Sequence, residues 1–237
     1  MSEQPSGSAS GDAQQNTTFP SNGHEAHGYL ELPPGGTGPG LVVIQEWWGL
    51  TTHVADLVRR LAADGFVALA PDLYGGATTH DGAEAMAMMQ AMPVERAGRD
   101  LAGAVDHLLS LDAVTSSTVG VIGFCMGGSF VLTLAAQQGE RVSAAVPFYG
   151  VPDPSTTDYS GLRAAVQGHY AELDRSVPRE AVVATATAIQ VQSGVVPEIH
   201  WYPAQHAFVN DERESYDAAS AQLAWARATD FLRTHVR

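Results

Sequence analysis

Three residues have the types and order that nucleophilic catalysis needs: Cys125, Asp174 and His206. A thiol attacks a carbonyl well only as the thiolate, so it needs a base within hydrogen-bond reach. Histidine can take that proton near neutral pH and hand it to a leaving group. A carboxylate behind the imidazole holds its tautomer and stabilises the imidazolium. Taken singly, each residue says little. A lone cysteine is more often a small buried hydrophobe. Any one of nine histidines is more often a loop residue without a task. Asp174 alone could be a carboxylate at the start of a helix beside Pro178.

The surroundings of Cys125 raise the catalytic reading. A β-branched run, Val119-Gly120-Val121-Ile122, leads into Gly123-Phe124-Cys125-Met126-Gly127-Gly128, and an apolar stretch of helical character, 129–138, follows. Strand, glycine-flanked turn and helix is the setting of a nucleophile elbow, here G-x-C-x-G in place of G-x-S-x-G. Neighbouring backbone comes so close in such a turn that side chains at Gly123 and Gly127 would clash. The first N–H groups of the following helix point where a developing oxyanion would sit. Nucleophile, acid, histidine is also the chain order of α/β-hydrolases.

The elements that must position these groups alternate. Continuous apolar runs at 41–44, 66–70, 118–124 and 142–149 read as strands buried on both faces. Shorter strands are expected at 28–32, 163–168 and 198–202. Helical patterns fall at 53–63, 94–110, 129–138, about 178–192 and 215–233. The segment 77–92, with Met86, Met88, Met89 and Met92, reads as an excursion whose methionines fill core gaps more often than they line a site. Alternation of this kind predicts an α/β fold, a mostly parallel central sheet with helices on both faces. Ligands bind beyond the carboxyl ends of such strands. Glu46, Cys125, Asp174 and His206 all fall just past expected strand ends and so share one rim. Glu46, followed by Trp47 and Trp48, is partly desolvated there, which suits it to accept or share the thiol proton.

Composition sets outer limits. The 237 residues suit one domain, and 45% hydrophobic content is ordinary for a globular protein. The net charge is −14 and all 12 basic side chains other than histidine are arginine. Such a surface disfavours nucleic acid and anionic membranes as partners. The polar N-terminus reads as a disordered tail over 1–24 rather than a secretory signal, with one domain over 25–237. One cysteine excludes an intramolecular disulfide and fits a reducing cytoplasm. No metal or organic cofactor is expected, since no Cys/His cluster has zinc spacing and no G-x-G-x-x-G or P-loop occurs.

Six motifs together resemble the dienelactone hydrolase (carboxymethylenebutenolidase) family. They are Gln-Glu-x-x-Gly at 45–49, Pro-Asp-Leu-Tyr at 71–74, the cysteine elbow at 123–128, Tyr-Gly at 149–150, Asp-x-x-Val-Pro at 174–178 and His-Ala-Phe at 206–208. The resemblance implies an α/β-hydrolase fold and hydrolysis of an enol-lactone ester. It implies Cys125 as nucleophile, His206 as base, Asp174 as its partner and Glu46 as the acid that helps activate the thiol. The backbone N–H groups of Trp47 and Met126 would form the oxyanion hole.

Two departures stand out. Family members acting on the anionic dienelactone hold its carboxylate with arginines. One lies four residues after the histidine, where this chain has Asn210; the other lies in the excursion, where 78–92 holds none. A bidentate clamp has no neutral equivalent. Arg213 is the nearby candidate to reach in. Trp48, Tyr149 and Phe208 are expected to add aromatic walls. These features predict a cysteine hydrolase of a less anionic, more apolar small-molecule ester or lactone, as a monomer or small homo-oligomer. The alternatives are a general esterase or thioesterase on the same triad, or a redox-sensing or binding protein on this fold.

Overall fold

The computed structural model describes residues 11–21 and 23–237. Its elements follow in chain order as β1 (Gly11–Asp12), β2 (Thr17–Ser21), β3 (His24–Glu31), β4 (Gly38–Ile44), α1 (Thr52–Ala63), β5 (Val67–Pro71), β6 (Ala77–Thr78) and α2 (Gly82–Ala91). There follow α3 (Val94–Ser110), β7 (Val114–Phe124), α4 (Met126–Gln138), β8 (Val142–Phe148), β9 (Ala165–Ala171), α5 (Arg179–Ser193), β10 (Glu198–Tyr202) and α6 (Ala218–His235). Eight strands form one sheet in the order β10-β9-β8-β7-β4-β5-β3-β2. The six from β10 to β5 run parallel, while β3 and β2 close one edge antiparallel.

Successive side chains of a strand point to opposite faces, and the core divides accordingly. Val42 and Ile44 of β4 pack with Leu101, Val105 and Leu108 of α3 and Val131, Leu132 and Ala135 of α4. Leu41 and Val43 pack on the other face, with Leu57, Val58 and Leu61 of α1 and Ala224, Ala228 and Leu232 of α6. Central strands are therefore apolar on both faces, which is why they read as unbroken hydrophobic runs.

The expected disordered tail does not hold over residues 11–21 and 23–24, where β1 pairs with β6. β2 pairs with β3 along its whole length, and Phe19 is buried, stacked on His107 of α3. One apolar anchor in a polar stretch is enough to dock an edge strand, and a composition-based reading averages it away. The rest of that expectation, residues 1–10 and 22, lies outside the described residues. The excursion is also more regular than expected, since Asp81 caps α2 through the N–H groups of Ala83 and Glu84.

Candidate active site

Every expected chemical group sits just past the carboxyl end of a parallel strand. Cys125 follows β7, Glu46 follows β4, Tyr149 follows β8, Asp174 follows β9 and His206 follows β10. At the elbow, Cys125 has φ 54° and ψ −117° as the residue before α4. Its N–H donates to the Phe148 carbonyl at 3.0 Å, and its own carbonyl accepts from the Gly128 N–H at 2.9 Å. A Cβ on Gly123 would lie 2.5 Å from the Gly127 carbonyl oxygen, and one on Gly127 the same distance from that of Gln45. The glycines are thus required by backbone approach, as the motif predicts. Among the described residues, the non-glycine positions with positive φ are Cys125, Tyr149 (35°) and Ala207 (61°), all at this rim. Such conformations cost about 1–3 kcal/mol each and persist only where the surroundings enforce them.

Cys125, His206 and Asp174 form one hydrogen-bonded line. His206 Nε2 lies 3.2 Å from Cys125 Sγ, and His206 Nδ1 lies 2.7 Å from Asp174 Oδ2. Asp174 Oδ1 accepts from the N–H groups of Ser176 (2.7 Å) and Val177 (3.0 Å). The carboxylate therefore caps the turn before α5 and holds the imidazole at the same time. Burial opposes charge on His206, but the hydrogen bonds and charges of Asp174 and Cys125 outweigh it and push its pKa up to about 10. Burial likewise opposes ionisation of Asp174, yet His206 and the two N–H donors hold its pKa below the usual carboxylate value.

Glu46 is buried, with 1% of its surface exposed. Tyr149 donates its hydroxyl to Oε1 at 3.3 Å, and Asn210 donates Nδ2–H to Oε2 at 2.7 Å. Burial and the neighbouring Glu46 and Cys125 raise the Tyr149 phenol well above its ordinary pKa, so it remains a donor. Among the described residues, the backbone N–H groups of Trp47 and Met126 have no acceptor in a turn, loop or cap. Met126 opens α4, where the helix dipole favours negative charge.

These groups line a pocket of about 460 Å³. Glu46, Cys125, His206 and Tyr149 contribute its chemistry; Trp47, Trp48, Met86, Met89, Met126, Val151 and Val177 contribute apolar wall. Trp47 and Trp48 meet edge to face at 4.8 Å, and Arg213 lies over Trp48, 3.7 Å from its ring centroid. Phe208 is not part of the wall. It is fully buried under Tyr149, 5.5 Å away between ring centroids, and packs on Phe148 and Tyr202. An aromatic two residues after a rim histidine has the core within reach, and the hydrophobic effect takes it there. Met86 and Met89 line the pocket, whereas Met92 packs on the core, so the methionine cluster serves both ends. The Asn210 contact was not predicted. Its signal was present in the sequence, as the neutral residue four positions after His206.

A mostly parallel sheet flanked by helices on both faces, with a cysteine, an aspartate and a histidine in that chain order past the ends of β7, β9 and β10, defines an α/β-hydrolase fold. The sequence profile of the dienelactone hydrolase family matches residues 26–236, and the chain belongs to that family. It is a hydrolase. A relative, the protein usf of Aquifex pyrophilus, is 32% identical over 230 residues, covering 94% of this chain and 99% of that protein. A protein of Aquifex aeolicus, provisionally named a carboxymethylenebutenolidase, is 30% identical over 231 residues, with coverage of 94% and 99%. A crystal structure provisionally described as a dienelactone hydrolase, from Klebsiella pneumoniae, superposes with a TM-score of 0.82 at 30% identity, covering 96% of this chain and 99% of that one. Among the described residues, no helix is long and apolar enough to cross a membrane.

Proposed function

We propose that this hydrolase cleaves carboxylic esters or lactones through an acyl-thioester on Cys125. The observation that carries the reading is the unbroken line from sulfur to imidazole to carboxylate, at 3.2 and 2.7 Å. The thiolate, paired with the His206 imidazolium, attacks the carbonyl carbon. The tetrahedral oxyanion is received by the N–H groups of Trp47 and Met126. As it collapses, the leaving alkoxide takes the Nε2 proton and an acyl-thioester remains. His206 then draws a proton from water, which attacks the thioester; the acid leaves and the thiolate–imidazolium pair is restored. Asp174 keeps the imidazole in the tautomer that presents Nε2 to sulfur throughout.

Glu46 is the alternative first acceptor of the thiol's single proton, which still reaches the leaving alkoxide through His206. Its oxygens are held by neutral donors, Tyr149 and Asn210, so gaining a proton breaks no ion pair. The apolar walls support a mainly apolar substrate body, in keeping with the carboxymethylenebutenolidase name of the relatives for the reaction type but with Asn210 where the resemblance expects an arginine. A free thiol in catalysis suits a reducing, cytoplasmic setting.

The test is turnover of 4-nitrophenyl acetate and of cis- and trans-dienelactone by wild type, Cys125→Ala and Cys125→Ser. Wild type should hydrolyse the neutral aryl ester more efficiently than either dienelactone, and Cys125→Ala should be inactive on all three. Retained ester turnover in Cys125→Ala would refute the nucleophile. Dienelactone cleaved as well as the aryl ester would refute the apolar preference.

A further inference from the structure

The central sheet ends on β10, and among the described residues β9 is the only strand paired with it. The two edges of the sheet differ. At the other end, β2 carries Pro20 in mid-strand, which removes a backbone donor. β10 has prolines only outside it, at 197 and 203. The Tyr202 carbonyl accepts from the Glu172 N–H at 2.8 Å and so faces β9. Alternation along the strand then turns the N–H and C=O groups of Ile199 and Trp201 outward. Natural edges are blunted by charged side chains or bulges. Here both outward positions are apolar, and the β9–β10 register runs without a bulge.

The flanks of this edge are apolar too. Val183, Ala186 and Val196 line, with Ile199 and Trp201, a groove of about 190 Å³ between α5 and β10. Val183, Val191 and Val196 are 55, 78 and 70% exposed. Arg179 holds the indole of Trp201 from α5, 3.8 Å from the ring centroid. The other face of the strand, with Glu198, His200 and Tyr202, turns to α6. There Arg227 donates to the Tyr202 hydroxyl at 3.3 Å, and Leu223, one turn earlier, is exposed.

We propose that β10 is the seam of a homodimer, in which a second copy of this chain adds its own β10 antiparallel about a two-fold axis at His200. In that register Ile199 of each copy and the partner's Trp201 exchange backbone hydrogen bonds. Their side chains meet beside α5, where the exposed valines extend the contact. On the α6 face, Glu198 stands opposite the partner's Tyr202, within reach of the partner's Arg227. The two-fold repeats each contact, so apolar meets apolar and acid meets base on one self-complementary surface. Pro197 and Pro203, at the next outward positions, bound the seam.

Sedimentation velocity over a range of micromolar concentrations should show wild type at twice the mass of one chain. Glu198→Arg and Arg227→Glu should each weaken the dimer by about tenfold or more, because like charges then face one another, and the double variant should recover it. Val183→Glu, at an exposed site, should weaken it with the melting temperature of the monomer unchanged. The register has its own test. Residues facing each other in a non-hydrogen-bonded antiparallel pair have Cα atoms about 4.5 Å apart, within disulfide range. In a Cys125→Ala background, His200→Cys should therefore oxidise to a covalent dimer, and Ile199→Cys, which faces the partner's Trp201, should not. A wild type that stays monomeric, or a dimer indifferent to both Glu198→Arg and Val183→Glu, would overturn the proposal. So would a dimer that His200→Cys fails to cross-link.

Discussion

Two buried carboxylates serve the same rim and have opposite surroundings. The Asp174 side chain, 1% exposed, meets an imidazole and two backbone N–H groups. Glu46, equally buried, meets a phenol and an amide and, among the described residues, no cation. Donors that are charged or belong to fixed backbone hold Asp174 ionised and in place. Glu46 is held by two neutral side-chain donors instead. The difference teaches how one strand-end rim can carry two acids in separate settings: Glu46 lines the pocket, and Asp174 stands behind His206. Asp174 supports His206 from behind, and under the proposed mechanism Glu46 serves the thiol side of the rim.

The comparison breaks most sharply at Asp174. Asp174→Asn leaves the imidazole without its anionic partner and should cost about 10³–10⁴ in kcat, a range set by comparable triads. Progress curves with 4-nitrophenyl acetate read it directly. A loss below tenfold would show that Asp174 does not support the base.

Glu46→Gln keeps the shape and one acceptor oxygen for its two donors, Tyr149 and Asn210, but removes the carboxylate base. We expect kcat to fall roughly hundredfold, the lower end of general-base contributions, with KM little changed. If the variant matched wild type, Glu46 would be only a buried polar residue. Asn210→Ala should do less, about three- to tenfold, since it removes one of two neutral donors to Glu46 at about 0.5–1.5 kcal/mol. An effect on Asn210→Ala larger than that of Glu46→Gln would reverse the assignment.

The smallest effect is on stability. The folded pKa of His206 is raised from 6.5 to about 10. The protonated form is therefore favoured by folding, and its contribution is full below 6.5 and lost as pH rises through about 10. The melting temperature of wild type should exceed that of His206→Gln by more at pH 6 than at pH 10.5. An advantage that grows with pH would contradict the imidazolium assignment. Asp174, with its lowered pKa, acts in the opposite window and loses its contribution as pH falls into the carboxylate range.

Much of this was legible from residues. Strand ends followed by Cys125, Asp174 and His206 gave the rim, because buried parallel strands announce themselves as apolar runs and chemistry collects past their carboxyl ends. The Gly123 and Gly127 requirement followed from backbone proximity alone. What escaped was set by contacts far apart in sequence. Phe19 anchors β2 through α3, and Asn210 reaches Glu46 across 164 positions. Phe208, expected as an aromatic wall of the pocket, lies instead in the core beneath Tyr149. The methionines at 86 and 89 could be placed only once 82–91 was known to be a helix presenting both to the pocket.

The central claim is that the acyl group passes through Cys125. The most direct measurement is acid quenching of wild type during turnover of 4-nitrophenyl acetate, followed by intact-mass analysis and peptide mapping. An acetyl group on the peptide carrying Cys125, released by neutral hydroxylamine as a thioester is, and absent from Cys125→Ala, is the predicted result. Acetylation of another residue, or steady turnover by Cys125→Ala with no labelled enzyme, would contradict it.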